Sequence, residues 1–341
     1  MKYLKFTPLI FAALLTSCAN HKVDDSSFIL AFGSCNNNKI EKYLWQEINQ
    51  NNPDVWVWGG DIIYADNPDN DMNIIRDDYE QLKNSPAYTK FRLDNTIIGS
   101  WDDHDYGLND GGGEFEKKEL SQQLFLDFMD VPKDDARRKH KGVYSSHDYA
   151  VGRYKIKIII LDTRYFRSHL TKNPNPTKIQ RYIPNSYGDG TMLGIAQWNW
   201  LAAQLTQSHA DFNVILSSIQ VLSPYHGFEK WANMPHELDK LETLIMSSRA
   251  KNVILLSGDR HISEIAKKNI EGLNYPLIDF TSSGLNRALN FEKIEPNPYR
   301  VRSNVVQDSF GLLRFDFIHH RVVMEIRGEH NKLLKRFEQI Y

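Results

Sequence analysis

An α/β fold, with helices covering the faces of its sheet, is what the sequence predicts, and two observations carry it. Runs of β-branched and aromatic residues recur along the chain, and each ends in a polar cluster. Segments of helical periodicity fall between several of these runs. Continuous apolar runs suit strands buried on both faces, and alternation with helices suits an α/β sheet.

The runs come in order. "SSFILAFGSCNNN" ends at Cys35-Asn36, and "PDVWVWGGDIIY" ends at Asp61 with Tyr64 one turn further. "NTIIGSWDDHD" ends in Asp102, Asp103, His104 and Asp105, and "YKIKIIILDTRYFR" in Asp162 and Arg164. "FNVILSSIQ" stops at Gln220, "KNVILLSGDRH" at Asp259 and His261, and "YPLIDFTSSGLN" makes a weaker seventh. Helical periodicity predicts helices over residues 39–49, 115–130, 195–208 and 236–250, with Pro132 and Pro235 marking boundaries. Residues 171–194, rich in Pro, Gly and Asn, read as an excursion loop. Near the end, "SFGLLRFDF" and "RVVMEIRG" read as two strands joined by a tight turn at His319-His320.

With 341 residues, 41% of them hydrophobic, the chain is long enough for one large core or two modest ones. No repeat, low-complexity tract or linker interrupts it after residue 27, so residues 28–341 are read as one domain. A formal net charge of -2 argues against a nucleic-acid binder, which needs a basic face. The densest basic run, Arg137-Arg138-Lys139-His140-Lys141, reads as a solvated loop.

The N-terminus reads as an address. Lys2 and Lys5 precede the apolar "PLIFAALL", and "LTSC" follows, ending at Cys18. A basic start, a short apolar stretch and small residues make a secretory signal over residues 1–17, too short to span a bilayer. Leu-Thr-Ser-Cys resembles a bacterial lipobox, which implies lipidation of Cys18, a polar tether over 18–27 and export to the cell envelope. The chain has two cysteines, so lipidation of Cys18 leaves Cys35 unable to form an internal disulfide. Cys35 is then either buried and inert or held by something.

Ligands of open α/β sheets sit outside the carboxyl ends of the strands. Every polar cluster named above lies at such an end, so Cys35, Asp61, Tyr64, Asp103, Asp259 and His261 are expected on one rim. A lone Asp after a buried strand is ordinarily a helix cap or a turn residue. Carboxylates gathered together, however, have strongly raised pKa values unless cations neutralise them. Thiolate, phenolate, carboxylate and imidazole together suit a transition metal beside an oxygen-ligated cation.

The blocks "FGSCN", "GGDIIYAD", "WDDHDYGLND", "LDTRYFR", "IQVL", "GFEKWANMPHE" and "SGDRH" together resemble the alkaline phosphatase D (PhoD-like) family of the calcineurin-like metallophosphatases. The resemblance runs from about Phe32 to Asn286 and implies a four-layer α/β/β/α sandwich with a binuclear centre. It implies that Asp61 bridges two metals and that Cys35, Tyr64 and His261 complete a ferric site. Asp103 and Asp259 then bind a second metal, for which calcium is the family expectation. Asn109 is either a further ligand there or a turn former. Gln220 stands where relatives often carry a histidine, which leaves its role open.

The same resemblance gives His104 the leaving-group proton, with Asp105 orienting its ring. Arg164 either grips the phosphoryl oxygens or forms a salt bridge back to Asp162. The implied reaction is metal-assisted hydrolysis of a small phosphoester, with a metal-held hydroxide attacking phosphorus in line. Neither a GxSxG elbow nor a GxxxxGK[ST] loop occurs. His226, Glu229 and Trp231 are placed at the pocket rim, Trp231 otherwise in the core. Two other functions fit the same residues: a ligand-binding surface lipoprotein without catalysis, or a hydrolase of another oxyanion ester such as a sulfate ester.

Overall fold

Side chains that alternate between two apolar surroundings build two sheets stacked face to face. The computed structural model describes residues 26–67, 69, 71–289 and 295–341. The signal, Cys18 and most of the tether lie outside them. The first sheet contains β1 (Ser27–Gly33), β2 (Val55–Gly59), β3 (Ile97–Ser100), β12 (Ser309–Asp316), β13 (Arg321–Gly328) and β14 (Leu333–Ile340). Its order is β14-β13-β12-β1-β2-β3, with β1, β2 and β3 parallel and the C-terminal strands antiparallel.

The second sheet contains β4 (Ser145–Val151), β5 (Tyr154–Ile160), β8 (Phe212–Leu216), β9 (Val253–Ser257), β10 (Ser263–Lys268) and β11 (Leu277–Ser282). Its order is β10-β11-β9-β8-β5-β4, with the four central strands parallel. Between β5 and β8 in sequence, β6 (Thr171–Thr177) and β7 (Gln180–Ile183) pair as a separate hairpin. It occupies the segment expected to be a loop.

The alternation sorts residues into layers. Leu30, Phe32, Val55 and Val57 of the first sheet meet Ile158, Ile160, Val214, Leu216, Ile254 and Leu256 of the second in one apolar layer. The neighbours Ala31, Trp56 and Trp58 point the other way, into α1 (Trp45–Asn49), α2 (Met72–Asn84), α3 (Pro86–Asp94) and α5 (Lys118–Phe128). Likewise Ile159, Ile215, Val253 and Leu255 face α6 (Gly194–Thr206) and α7 (Pro235–Ser248). Both faces of each sheet are therefore covered, which is why the strands read as unbroken apolar runs. The result is the α/β/β/α sandwich. Each such side chain contributes about 1.5–3 kcal/mol by leaving water.

The helices differ from expectation at their edges. The first covers only Trp45–Asn49, because Asn37, Ile40 and Lys42 are taken up in turns ahead of it. Its Trp45 packs against the rings of Trp56, Trp58 and Phe91. α2 and α3, unforeseen, finish covering the first sheet. Residues 317–320 form the expected turn between β12 and β13. Among the described residues, no helix is long and apolar enough to cross a membrane.

Candidate metal centre

The two sheets meet where β1, β2, β3, β5, β8 and β9 end. Ser34 bridges to Ser283 beyond β11, and the Ser100 hydroxyl donates to the Leu161 carbonyl at 2.8 Å. Close approach needs small residues there. A Cβ on Gly258 would lie 2.6 Å from Ser34 Oγ, and one on Gly60, at φ +94°, would lie 2.5 Å from Asp102 Cβ. Past the strands the chain turns sharply, and Cys35, Asp61, Asp259 and His261 all take left-handed backbone, at φ of 58°, 51°, 67° and 54°. Such conformations are uncommon outside glycine and cluster at functional sites.

These turns bring together residues far apart in sequence. Cys35, Asp61 and His261 offer donor atoms within 4.8 Å of one another, as do Asp61, Asp103 and His104, and also Asp102, Asp103 and Asp259. The Tyr64 hydroxyl and the Cys35 thiol both lie 3.3 Å from Asp61 Oδ2. His261 donates from Nδ1 to the Arg287 carbonyl at 2.6 Å, which leaves Nε2 as the nitrogen that could hold a metal. The Gln220 amide donates to Glu264 and Thr281, and Asn109 is exposed in the turn before Asp110. His226 is buried, its Nδ1 accepting from the Phe228 N–H. Trp231 belongs to the core.

The electrostatics of the polypeptide describe a site short of positive charge. Burial pushes Asp61 and Asp259 well above the usual carboxylate range, and neighbouring carboxylates add to both shifts. Burial likewise raises the Cys35 thiol and the Tyr64 phenol. Asp103 is the exception: burial works to raise it, yet His104 and Arg164 hold it below the usual range. His261 is pushed down to about 4 by burial and stays neutral, the form a ligand needs. Burial works to lower His104, but Asp103, Asp61 and Asp66 raise it to about 11.

Several atoms have no partner among the described residues. Asp61 Oδ1, Asp103 Oδ1 and Asp259 Oδ2 are buried without a hydrogen-bond partner. Buried carboxylate oxygens ordinarily have one, and a cation is the partner this donor set suits. The residues therefore fit metal binding.

Two expected contacts differ. His104 Nδ1 pairs with Asp66, not Asp105, because Asp105 accepts the backbone N–H groups of Asp102 and Ile62 at 2.6 and 3.1 Å. Arg164 does not turn back to the Asp162 side chain. Wholly buried, its guanidinium pairs with Asp102 at 2.5 Å and Glu229 at 2.6 Å, while Asp162 accepts the Arg164 backbone N–H. Arg167 pairs with the other oxygen of Glu229 at 2.8 Å. Asp66, Ser283 and Arg287 escaped the sequence reading: Ser283, 3.0 Å from the Cys35 thiol, follows the strand of the weaker seventh run, and Asp66 and Arg287 lie in loops beyond the strand ends.

Comparison with known proteins agrees with this geometry. The family model for PhoD-like phosphatase matches residues 30–284. The chain belongs to the PhoD-like phosphatase family. Alkaline phosphatase D of Bacillus subtilis (strain 168) is 28% identical over 122 residues, a match that covers 33% of this chain and 20% of that protein. The solved structure of PhoD superposes with a TM-score of 0.69 at 16% identity, over 92% of this PhoD-like chain and 69% of that one. A second structure, GAP50, the anchor in the inner membrane complex of Plasmodium, superposes at 0.59 with 12% identity, over 92% and 89%. At such identities these two likenesses speak to the fold.

Proposed function

We propose that this PhoD-like phosphatase hydrolyses small phosphoesters at a binuclear centre, with Cys35, Asp61, Tyr64 and His261 holding a ferric ion and Asp61, Asp103 and Asp259 holding calcium. The observation that carries the reading is Asp61, which shares one donor cluster with Cys35 and His261 and another with Asp103 and His104. Cations bound there would supply charge for the phosphoryl oxygens and an activated water at neutral pH.

The chain's own part follows from its side chains. His104, with Nδ1 held by Asp66 and its charge sustained by Asp103 and Asp61, delivers a proton from Nε2 to the departing alkoxide. Arg164 acts one step back, fixing Asp102 beside Asp103 rather than touching substrate. Asp102 also accepts from the Ser218 hydroxyl at 2.6 Å, which ties β3 to β8 across the rim.

Chromogenic phosphate mono- and diesters, assayed beside a sulfate ester, test the reading. Turnover of a phosphoester with no turnover of the sulfate supports it; preference for the sulfate ester, or no turnover of any, would sink it. We propose further that the protein is exported and lipidated on Cys18, on the strength of Lys2, Lys5, the apolar run and Leu-Thr-Ser-Cys. Cys18→Ala should abolish lipid attachment while a soluble form starting near Ser26 stays active. Wild-type protein found wholly in the cytoplasm would contradict the address.

A further inference from the structure

Sealing Arg164 between Asp102 and Glu229 raises the question of which cation meets the substrate's negative charge. Most basic side chains around the rim are already spent. Arg260 is 7% exposed and pairs with Glu295 at 2.7 Å. Lys39 pairs with Asp78 at 3.2 Å, and Arg181 with Asp110 at 3.3 Å.

Arg287 is different. It lies just past β11, and its carbonyl takes the Nδ1 proton of His261. Its half-buried guanidinium stands 4.0 Å over the centroid of the Tyr64 ring. That ring in turn lies 4.2 Å from the ring of His104. Among the described residues, no carboxylate pairs with Arg287. A cation held by an aromatic face keeps its N–H donors, because stacking uses the plane of the guanidinium and leaves its edges free. An ion pair would have used both the charge and the donors.

We propose that Arg287 is a substrate-binding residue, gripping two anionic oxygens of the phosphoryl group edge-on while Tyr64 supports its plane. A guanidinium meets two negative charges on a monoester or on inorganic phosphate but only one on a diester, so the residue favours the doubly charged species. The inference rests on the phosphoester reading above and deepens it.

The test compares wild type with Arg287→Met and Arg287→Lys, all metal-loaded. Calorimetry reads the affinity for inorganic phosphate, and kcat/KM is taken for p-nitrophenyl phosphate and bis(p-nitrophenyl) phosphate. Arg287→Met should weaken phosphate binding about tenfold, the size of one charge-assisted hydrogen bond. The monoester should lose through KM and the diester should lose less, with Arg287→Lys between wild type and Arg287→Met and metal content unchanged. Unaltered phosphate affinity in Arg287→Met, or equal losses on both esters, overturns the proposal. Should Arg287→Met not retain its metals, Arg287→Lys decides, and wild-type phosphate affinity in that variant overturns it equally. The two readings separate cleanly. A wild type that hydrolyses neither ester removes the phosphoester reading, whereas an active wild type beside an indifferent Arg287 removes only this residue.

Discussion

The two sides of the centre are built on opposite electrostatic plans. On one side, Cys35, Asp61, Tyr64 and His261 bring thiol, carboxyl, phenol and neutral imidazole together, and the Arg287 guanidinium beside them is only half-buried, stacked on the Tyr64 ring. On the other, Asp102, Asp103 and Asp259 are interleaved with a buried relay in which Arg164 joins Asp102 to Glu229 and Glu229 joins Arg167. Burial still raises Asp102 to about 6 and Glu229 to about 8, although the arginines pull both down. The oxygen-rich side thus carries buried neutralising charge of its own, and the mixed-donor side carries less of it. Metal removal should therefore affect the two sides unequally.

Asp61 joins the two sides, so its loss has the largest expected effect. Asp61→Asn should leave a folded protein with depleted metal and no measurable turnover, far beyond the about 10–100-fold cost of altering an outer-shell partner. Wild-type metal content and rate in that variant would remove the binuclear assignment. Next comes the arginine relay. Arg164→Met strands Asp102 and Glu229, and breaking a buried pair from one side costs about 3–5 kcal/mol. Chemical denaturation checks this, and a midpoint equal to wild type would show that the relay does not hold the oxygen-rich side together.

How much of this was legible in the sequence depended on burial. The strands ending at Cys35, Asp61, Asp103 and Asp259 were readable because both faces of each sheet are covered, leaving no polar residue to break the apolar run. The hairpin of β6 and β7 was not, since its side chains are mostly exposed and its Pro and Asn composition is that of a loop. β14 consists mostly of exposed and half-buried residues and carries little signal for the same reason. Within the site, the strand-end donors announced themselves, but their partners did not. Asp66 reaches His104 only because the loop after β2 folds back over α4 (Asp103–Tyr106), a contact that no spacing encodes. Arg164 pointed to phosphate in the sequence, yet its burial turned it toward Asp102 and Glu229.

A smaller effect sharpens the comparison further, because His104 sits beside Asp61 and Asp103 yet is proposed to act on the leaving group. His104→Ala should slow esters with poor leaving groups by about 10²–10⁴-fold and p-nitrophenyl esters much less. Asp66→Asn should show the same split, diminished, since the ring remains but its Nδ1 partner is weakened. Equal losses on good and poor leaving groups would reassign His104 to holding metal or structure.

Elemental analysis of the purified protein, together with its visible spectrum before and after mild chelation, tests the two unlike sides of the centre at once. A ferric ion bound by the Tyr64 phenolate or the Cys35 thiolate absorbs visible light, while an oxygen-ligated calcium is released more readily. The purified protein should be coloured and contain iron and calcium. Mild chelation should remove calcium and activity but leave the band, and Tyr64→Phe should shift or bleach it. A colourless, fully active protein containing only zinc or magnesium would contradict the mixed-donor assignment, and loss of both metals at the same chelator concentration would contradict the division of the centre into two unlike sides.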